Sequence, residues 1–312
     1  EDVTSIVDGK VDNKNARIIA ILGDITKEKL GLSAEIYNEV KNNVSDIVHS
    51  AANVSFFCEW EKAKAINYIG TCNMIKFAED SNAKLHHIST MSVSGDILTG
   101  QTVPYPQFDE NKLYIGQLYK ENVYSYSKYL AEREVVKSIR ESRINANIYR
   151  LPNLTWRMSD GRFQNNFKEN DLYLMTRVML KLKSVPVEIK DENFLLTPVD
   201  DVSKAIVTLM ENKKGNNVFN LVSTTSPTIK EYMEYLTNIT CEPLKDLYEK
   251  INNIPNDDEM QFVAMYLAGI LKDAEKLVVH VHADETNKAL ESLGYKWGTI
   301  DEKYVKHVIN IE

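Results

Sequence analysis

The chain has 312 residues, enough for one large or two modest domains, and its 43% hydrophobic and 26% charged content is ordinary for a soluble globular protein. A formal net charge of −8 argues against a nucleic-acid partner held through its phosphates, and no apolar run reaches the ~18 residues a membrane span needs. Three scattered cysteines, Cys58, Cys72 and Cys241, form no Cys-x-x-Cys pair and fit free thiols in a reducing cytoplasm. No signal peptide is visible, and the start at Glu1 rather than Met reads as a monomeric piece of a longer polypeptide.

Residues 16–22 (ARIIAIL) read as a buried strand breaking at Gly23-Asp24, which on its own is equally a simple turn. Ser33 can cap a helix through about Lys41. Residues 46–52 (DIVHSAA) form a strand pattern ending in small residues, and His49 within it reads as a core histidine rather than a catalyst. An amphipathic helix over 61–80 carries Asn67 and Gly70-Thr71. Residues 84–96 (KLHHISTMSVSGD) read as a buried strand ending in a hydroxyl cluster, and His86-His87 lack the further ligands a metal site needs. Residues 100–120, with Pro104, Pro106 and Gly116, read as a long polar loop and candidate lid.

The helix opened by residues 121–134 (ENVYSYSKYLAERE) is the centre of the pattern. Tyr124 and Lys128 stand one turn apart and share a face, so a phenol and an ammonium can enter one cleft. The ammonium stabilises phenolate and lowers a pKa that is about 10 in water, giving a group for proton transfer at a carbonyl near neutral pH. A second Tyr-x-x-x-Lys pair, Tyr37 and Lys41, reads as an ordinary helix face. What separates the first pair is its surroundings: the strand and hydroxyls upstream, and another buried-strand pattern over 146–152 (ANIYRLP) downstream.

Between 157 and 190 seven lysines and arginines stand against four carboxylates, either a solvated helix face or a dock for an acidic partner. Asp200 or Asp201 can cap the helix following residues 193–198. A strand over 218–222 and a capped helix over 226–240 follow, and 241–312 reads as mainly helical. His280 and His282 share one face of a short strand with no third ligand in view.

The order strand, hydroxyl, Tyr-x-x-x-Lys helix, strand resembles the extended short-chain dehydrogenase/reductase family. The finer match is to the thioester reductase domains of nonribosomal peptide synthetases and of carboxylic acid and aminoadipate reductases. It is carried by GDITKEKLGLS (23–33), HSAANVSFF (49–57), INYIGT (66–71), HISTMSV (87–93), VYSYSKYLAE (123–132), YRLPNLTWR (149–157) and TPVDDVSKAI (197–206). The resemblance implies an α/β fold, a Rossmann-type doubly wound parallel sheet with a smaller, mainly helical C-terminal substrate-binding part. Residues 1–155, completed by 195–222, correspond to the cofactor-binding domain; 156–194 and 223–312 correspond to the substrate- or carrier-binding part. The implied catalytic residues are Thr90, Tyr124 and Lys128, with Thr90 preferred over Ser89 and Ser92 by its spacing to Val93 and Gly95. Implied NADPH contacts are Gly23, Asp24 and Ile25, then Ser50, Ala51 and Ala52, then Lys128, and finally Leu151, Pro152 and Asn153. Asn67 takes a mostly structural role. The implied partner is an acyl or peptidyl carrier protein bearing a phosphopantetheine thioester, which the basic stretch over 157–190 suits.

The departure from the family pattern is in the glycines: none of the 12 forms GxGxxG or GxxGxxG. The first recognisable strand therefore matches the family's third, the N-terminal βαβ unit is missing, and in a 3-2-1-4-5-6 sheet residues 16–22 would lack a neighbour. A nucleotide-sugar epimerase or dehydratase of the same fold is the rival enzyme reading. A cofactor-impaired carrier-binding fragment is the rival without chemistry.

Overall fold

The computed structural model describes residues 3–7, 10–11, 18–55, 58–98, 107–119, 122–167, 170–194, 196–253, 276–277 and 279–307. The chain divides into two units: residues 1–96, 107–150 and 213–219 form one, and 97–106, 151–212 and 220–312 the other.

The first unit holds two sheets. In one, β1 (Val3–Val7) runs parallel to β3 (Ile18–Ile21) and antiparallel to β2 (Lys10–Val11). The strand expected to stand alone thus has a partner. Val3–Val7 is a short run rich in β-branched residues, the composition that favours a pleated strand. The other sheet has the order β7–β6–β5–β4, with β4 Asp46–His49, β5 Lys84–Thr90, β6 Ala146–Leu151 and β7 Asn217–Asn220. β4 and β5 pair in parallel, His49 opposite His87. β6 is buried along nearly its whole length, as expected of a strand covered on both faces. No ladder joins β3 to β4 among the described residues, and Ile18 and Ile19 in the first sheet, Leu22 just after it and Val48 in the second are exposed.

Three helices cover the four-stranded sheet: α1 (Ala34–Asn43), α2 (Gly70–Ser81) and α3 (Val123–Arg140). Ser33 caps α1 by accepting from Ile36 N, and Asn122 caps α3 by accepting from Ser125 N. The apolar stripes meet in a core that includes Tyr37, Ile47, Ile75, Phe77, Leu85, Val135 and Ile148.

In the second unit Asn153–Thr155 pairs in parallel with Leu196–Pro198, and Ser184–Pro186 with Thr240–Glu242. Helices Asp171–Leu182, Val199–Asn212, Ile229–Leu236, Leu244–Asn252 and Asp284–Ser292 accompany them. Its core includes Trp156, Tyr173, Phe194, Tyr232 and Tyr304. Asp200 and Asp201 do not cap their helix, which already begins at Val199. Their carboxylates instead accept from Met158 N and Ser159 N and from Gly298 N, tying neighbouring loops to the helix. Among the described residues no helix is long and apolar enough to cross a membrane.

Candidate active site

Thr90 is the last residue of β5. Its hydroxyl accepts from Ser92 N at 3.2 Å and so opens the tight turn Met91–Ser94. Tyr124 lies in the first turn of α3, and its hydroxyl is hydrogen-bonded to the Thr90 side chain. Lys128, one turn further and 5% exposed, donates from Nζ to Ile88 O at 2.6 Å. The end of β5 therefore holds both the phenol and the amine, and the three expected catalytic residues meet within one unit.

Their electrostatics differ from the sequence expectation. Burial pushes the Tyr124 phenol up, with the Thr90 hydrogen bond opposing only in part. The expected lowering by Lys128 is not among the influences on the phenol; its amine is directed to Ile88 O instead. Lys128 itself is pulled down to about 8 by burial, which Glu132 opposes. Tyr124 is thus a protonated donor at neutral pH, suited to a developing oxyanion.

Behind these residues lies a support that the sequence reading missed. Arg150 donates from Nε and Nη2 to Glu132 Oε1, and Ser89 Oγ donates to Oε2 at 2.6 Å. Arg150 also donates to Asp109 O at 3.0 Å and Lys112 O at 2.7 Å. Gln117 Nε2 and the Tyr119 hydroxyl both donate to Val93 O, beside Thr90. Of the expected lid over 100–120, residues 100–106 and 120 lie outside the described residues. The part over 109–119 is an anchored frame rather than a free flap. Glu132 continues the Tyr124–Lys128 stripe one more turn, and that spacing was the available signal.

On the cofactor side, Asp24 accepts from Thr26 N at 3.0 Å and Thr26 Oγ1 at 2.7 Å, and it faces Lys27. The Thr26 hydroxyl is the main influence holding its carboxyl below the usual range. Gly23 is packed so that a Cβ would come within 3.0 Å of Leu30 O, and a Cβ on Gly70 would meet Ile25 Cδ1 at 2.7 Å. Asn73 Nδ2 donates to Ile25 O at 2.7 Å, so this loop is seated on α2. Ser50 and Ala51 are exposed just after β4, and Ala52 is half-buried. Asn67 accepts from Asn53 N at 2.7 Å and donates to Asn53 O and Ser127 Oγ, joining the loop after β4 to α3. Leu151 and Pro152, half-buried, and Asn153, exposed, belong to the second unit.

A family model described as "Male sterility protein", of the NAD-binding group, matches residues 3–206. The chain belongs to this family. Its motifs resemble those of the thioester reductase domains within the extended short-chain dehydrogenase/reductases. It is 26% identical over 250 residues to the non-canonical nonribosomal peptide synthetase cpsA of Aspergillus campestris, covering 75% of this chain but only 23% of that protein. Among solved structures it resembles a thiolation-reductase di-domain from an archaeal non-ribosomal peptide synthetase, with a TM-score of 0.78 at 24% identity, covering 99% of this chain and 69% of that one. The terminal R domain of the myxalamid PKS-NRPS pathway gives a TM-score of 0.78 at 23% identity, covering 94% and 74%. For a member of this family the donor set is a fit in part. Tyr124 and Lys128 can hold a ribose and its nicotinamide, and the small exposed residues after β4 admit a dinucleotide backbone. The sequence offers no glycine turn to hold a pyrophosphate.

Proposed function

We propose that the chain is an NADPH-dependent reductase that releases an acyl or peptidyl group from the phosphopantetheine thioester of a carrier protein, as aldehyde or alcohol. One observation carries this reading: the hydroxyl of half-buried Tyr124 is hydrogen-bonded to Thr90, with Lys128 one helical turn away and held to the same strand end. Bound NADPH supplies the hydride. Tyr124 delivers a proton or hydrogen bond to the thioester oxygen as charge develops there, and Thr90 adds a second hydrogen bond. Such stabilisation is usually the largest single contribution to acyl chemistry. Lys128 holds the nicotinamide ribose and fixes the position of Tyr124. Gly23, Asp24 and Ile25 serve the adenine, Ser50, Ala51 and Ala52 the dinucleotide backbone, and Leu151, Pro152 and Asn153 the nicotinamide. The hemithioacetal expels its thiol to leave the aldehyde, and a second reduction gives the alcohol.

The test is the decay of NADPH absorbance with an acyl-pantetheine thioester. Tyr124→Phe is expected to lose about 100-fold or more, the range for general acid catalysis. An unchanged rate would overturn the assignment. The interruption between β3 and β4 favours a second reading, a carrier-binding fragment with an impaired cofactor site. Carrier binding with no NADPH consumption under any condition would select it.

A further inference from the structure

α3 carries two stripes of side chains. Tyr124, Lys128 and Glu132 form the first. Tyr129, Arg133 and Arg140 lie about 100° round the helix and form the second. The second stripe, with Lys137 and Tyr114, lines an open cavity of about 600 Å³. Tyr114 is 68% exposed, and Arg133, Lys137 and Arg140 are exposed as well. Nearby Arg143 is engaged by Glu134 and Glu141. Arg133 and Arg140, by contrast, form no ion pair among the described residues, and Arg133 Cζ instead lies 5.9 Å over the Tyr129 ring. Lys137 has only a 3.8 Å contact with Glu134.

We infer that this groove docks the carrier domain, through a partner helix bearing carboxylates two turns apart. The inference rests on the proposed function for the identity of the partner. Arg133 and Arg140 are seven residues apart on one helix face, about 10 Å, the spacing such a partner helix matches. Unmatched guanidiniums beside exposed Tyr114 and half-buried Tyr129 are the residue types that anchor interfaces. They stand on a protein whose net charge is −8, so this local positive face is a departure from the whole. The basic stretch expected to serve this purpose is less available. Arg157 and Arg162 face Asp160, and Lys190 faces Asp191.

The experiment measures binding and does not depend on turnover. The full 312-residue chain, wild type and Arg133→Glu/Arg140→Glu, is titrated with a phosphopantetheinylated carrier domain and with a glutamate-rich helical peptide, at low and high salt. The charge reversal is expected to weaken both about tenfold and to flatten the salt dependence. Arg133→Gln/Arg140→Gln, which keeps the helix surface, gives a smaller loss in the same direction. Unaltered carrier binding in both variants overturns the groove and leaves the proposed function standing. Binding of the peptide but not of the carrier by the wild type overturns the carrier as occupant, and the proposed function with it.

Discussion

Arg150 donates through two nitrogens to one oxygen of Glu132, at 2.9 and 2.7 Å, and both side chains are sealed from solvent at 1% exposure or less. The pair connects β6 to α3 and, through two backbone carbonyls, to the frame at residues 109–112. Glu132→Ala strands a buried guanidinium and is expected to destabilise the chain by about 3–5 kcal/mol. Glu132→Ala/Arg150→Met removes both charges and should lose clearly less than the two single losses added together. Urea unfolding of the four proteins checks this, and strict additivity would count against a coupled pair.

The same carboxylate opposes the depression of Lys128, whose pKa of about 8 lies below its ordinary value of 10.5. A lysine depressed on folding binds fewer protons when native, so it adds stability as pH rises from about 8 towards 10.5 and none of that gain is present at lower pH. Wild type should therefore become more stable relative to Lys128→Met over that window, by at most roughly 3 kcal/mol. Chemical denaturation of both proteins at pH 7, 8, 9 and 10 measures the difference. A constant difference would mean that the amine is not depressed.

The Thr90 hydroxyl accepts from Ser92 N, lies within donating distance of Ser92 Oγ at 3.2 Å and bonds the Tyr124 hydroxyl. Thr90→Val should keep the fold yet lower kcat for thioester reduction by about 100- to 1000-fold, the scale of losing one oxyanion-type donor. Thr90→Ser should restore most of it. Because the Thr90 bond is what partly opposes the rise of the Tyr124 pKa, Thr90→Val should also carry the Tyr124 titration higher still. That shift is readable as tyrosinate absorbance against a Tyr124→Phe background.

Most of the candidate site's geometry could be read from spacing, because a helix and a strand end are local objects. Tyr124 and Lys128 follow from the four-residue period, and Thr90 from the break of a buried strand into a turn. What spacing could not convey was balance. Whether the phenol is lowered by an ammonium or raised by burial depends on where the amine points, and Ile88 O claims it. The Glu132–Arg150 pair was hidden for a related reason: a charge within the apolar run ANIYRL has a meaning only when its partner, eighteen residues earlier, is known. The partner of β3 was passed over because Val3–Val7 is too short for periodicity to single it out.

The last prediction concerns the break between β3 and β4. A pyrophosphate is normally held by backbone N–H groups at a glycine turn and helix N-terminus; the sequence has no such glycine pattern, and among the described residues no strand bridges these two edges. Asp24 and Ser50 consequently border a stretch whose apolar neighbours Ile18, Ile19, Leu22 and Val48 face solvent. Leu22 alone is 92% exposed. NADPH is expected to bind the 312-residue polypeptide weakly, and a strand–glycine-turn–helix segment joined ahead of Glu1 should tighten it by about tenfold or more. The same segment should reduce binding of a hydrophobic dye at the exposed edges. Calorimetry with NADPH and dye fluorescence test the two effects separately. If the unextended chain holds NADPH tightly, the sheet does not need the bridging strand and the adenine and nicotinamide contacts suffice on their own.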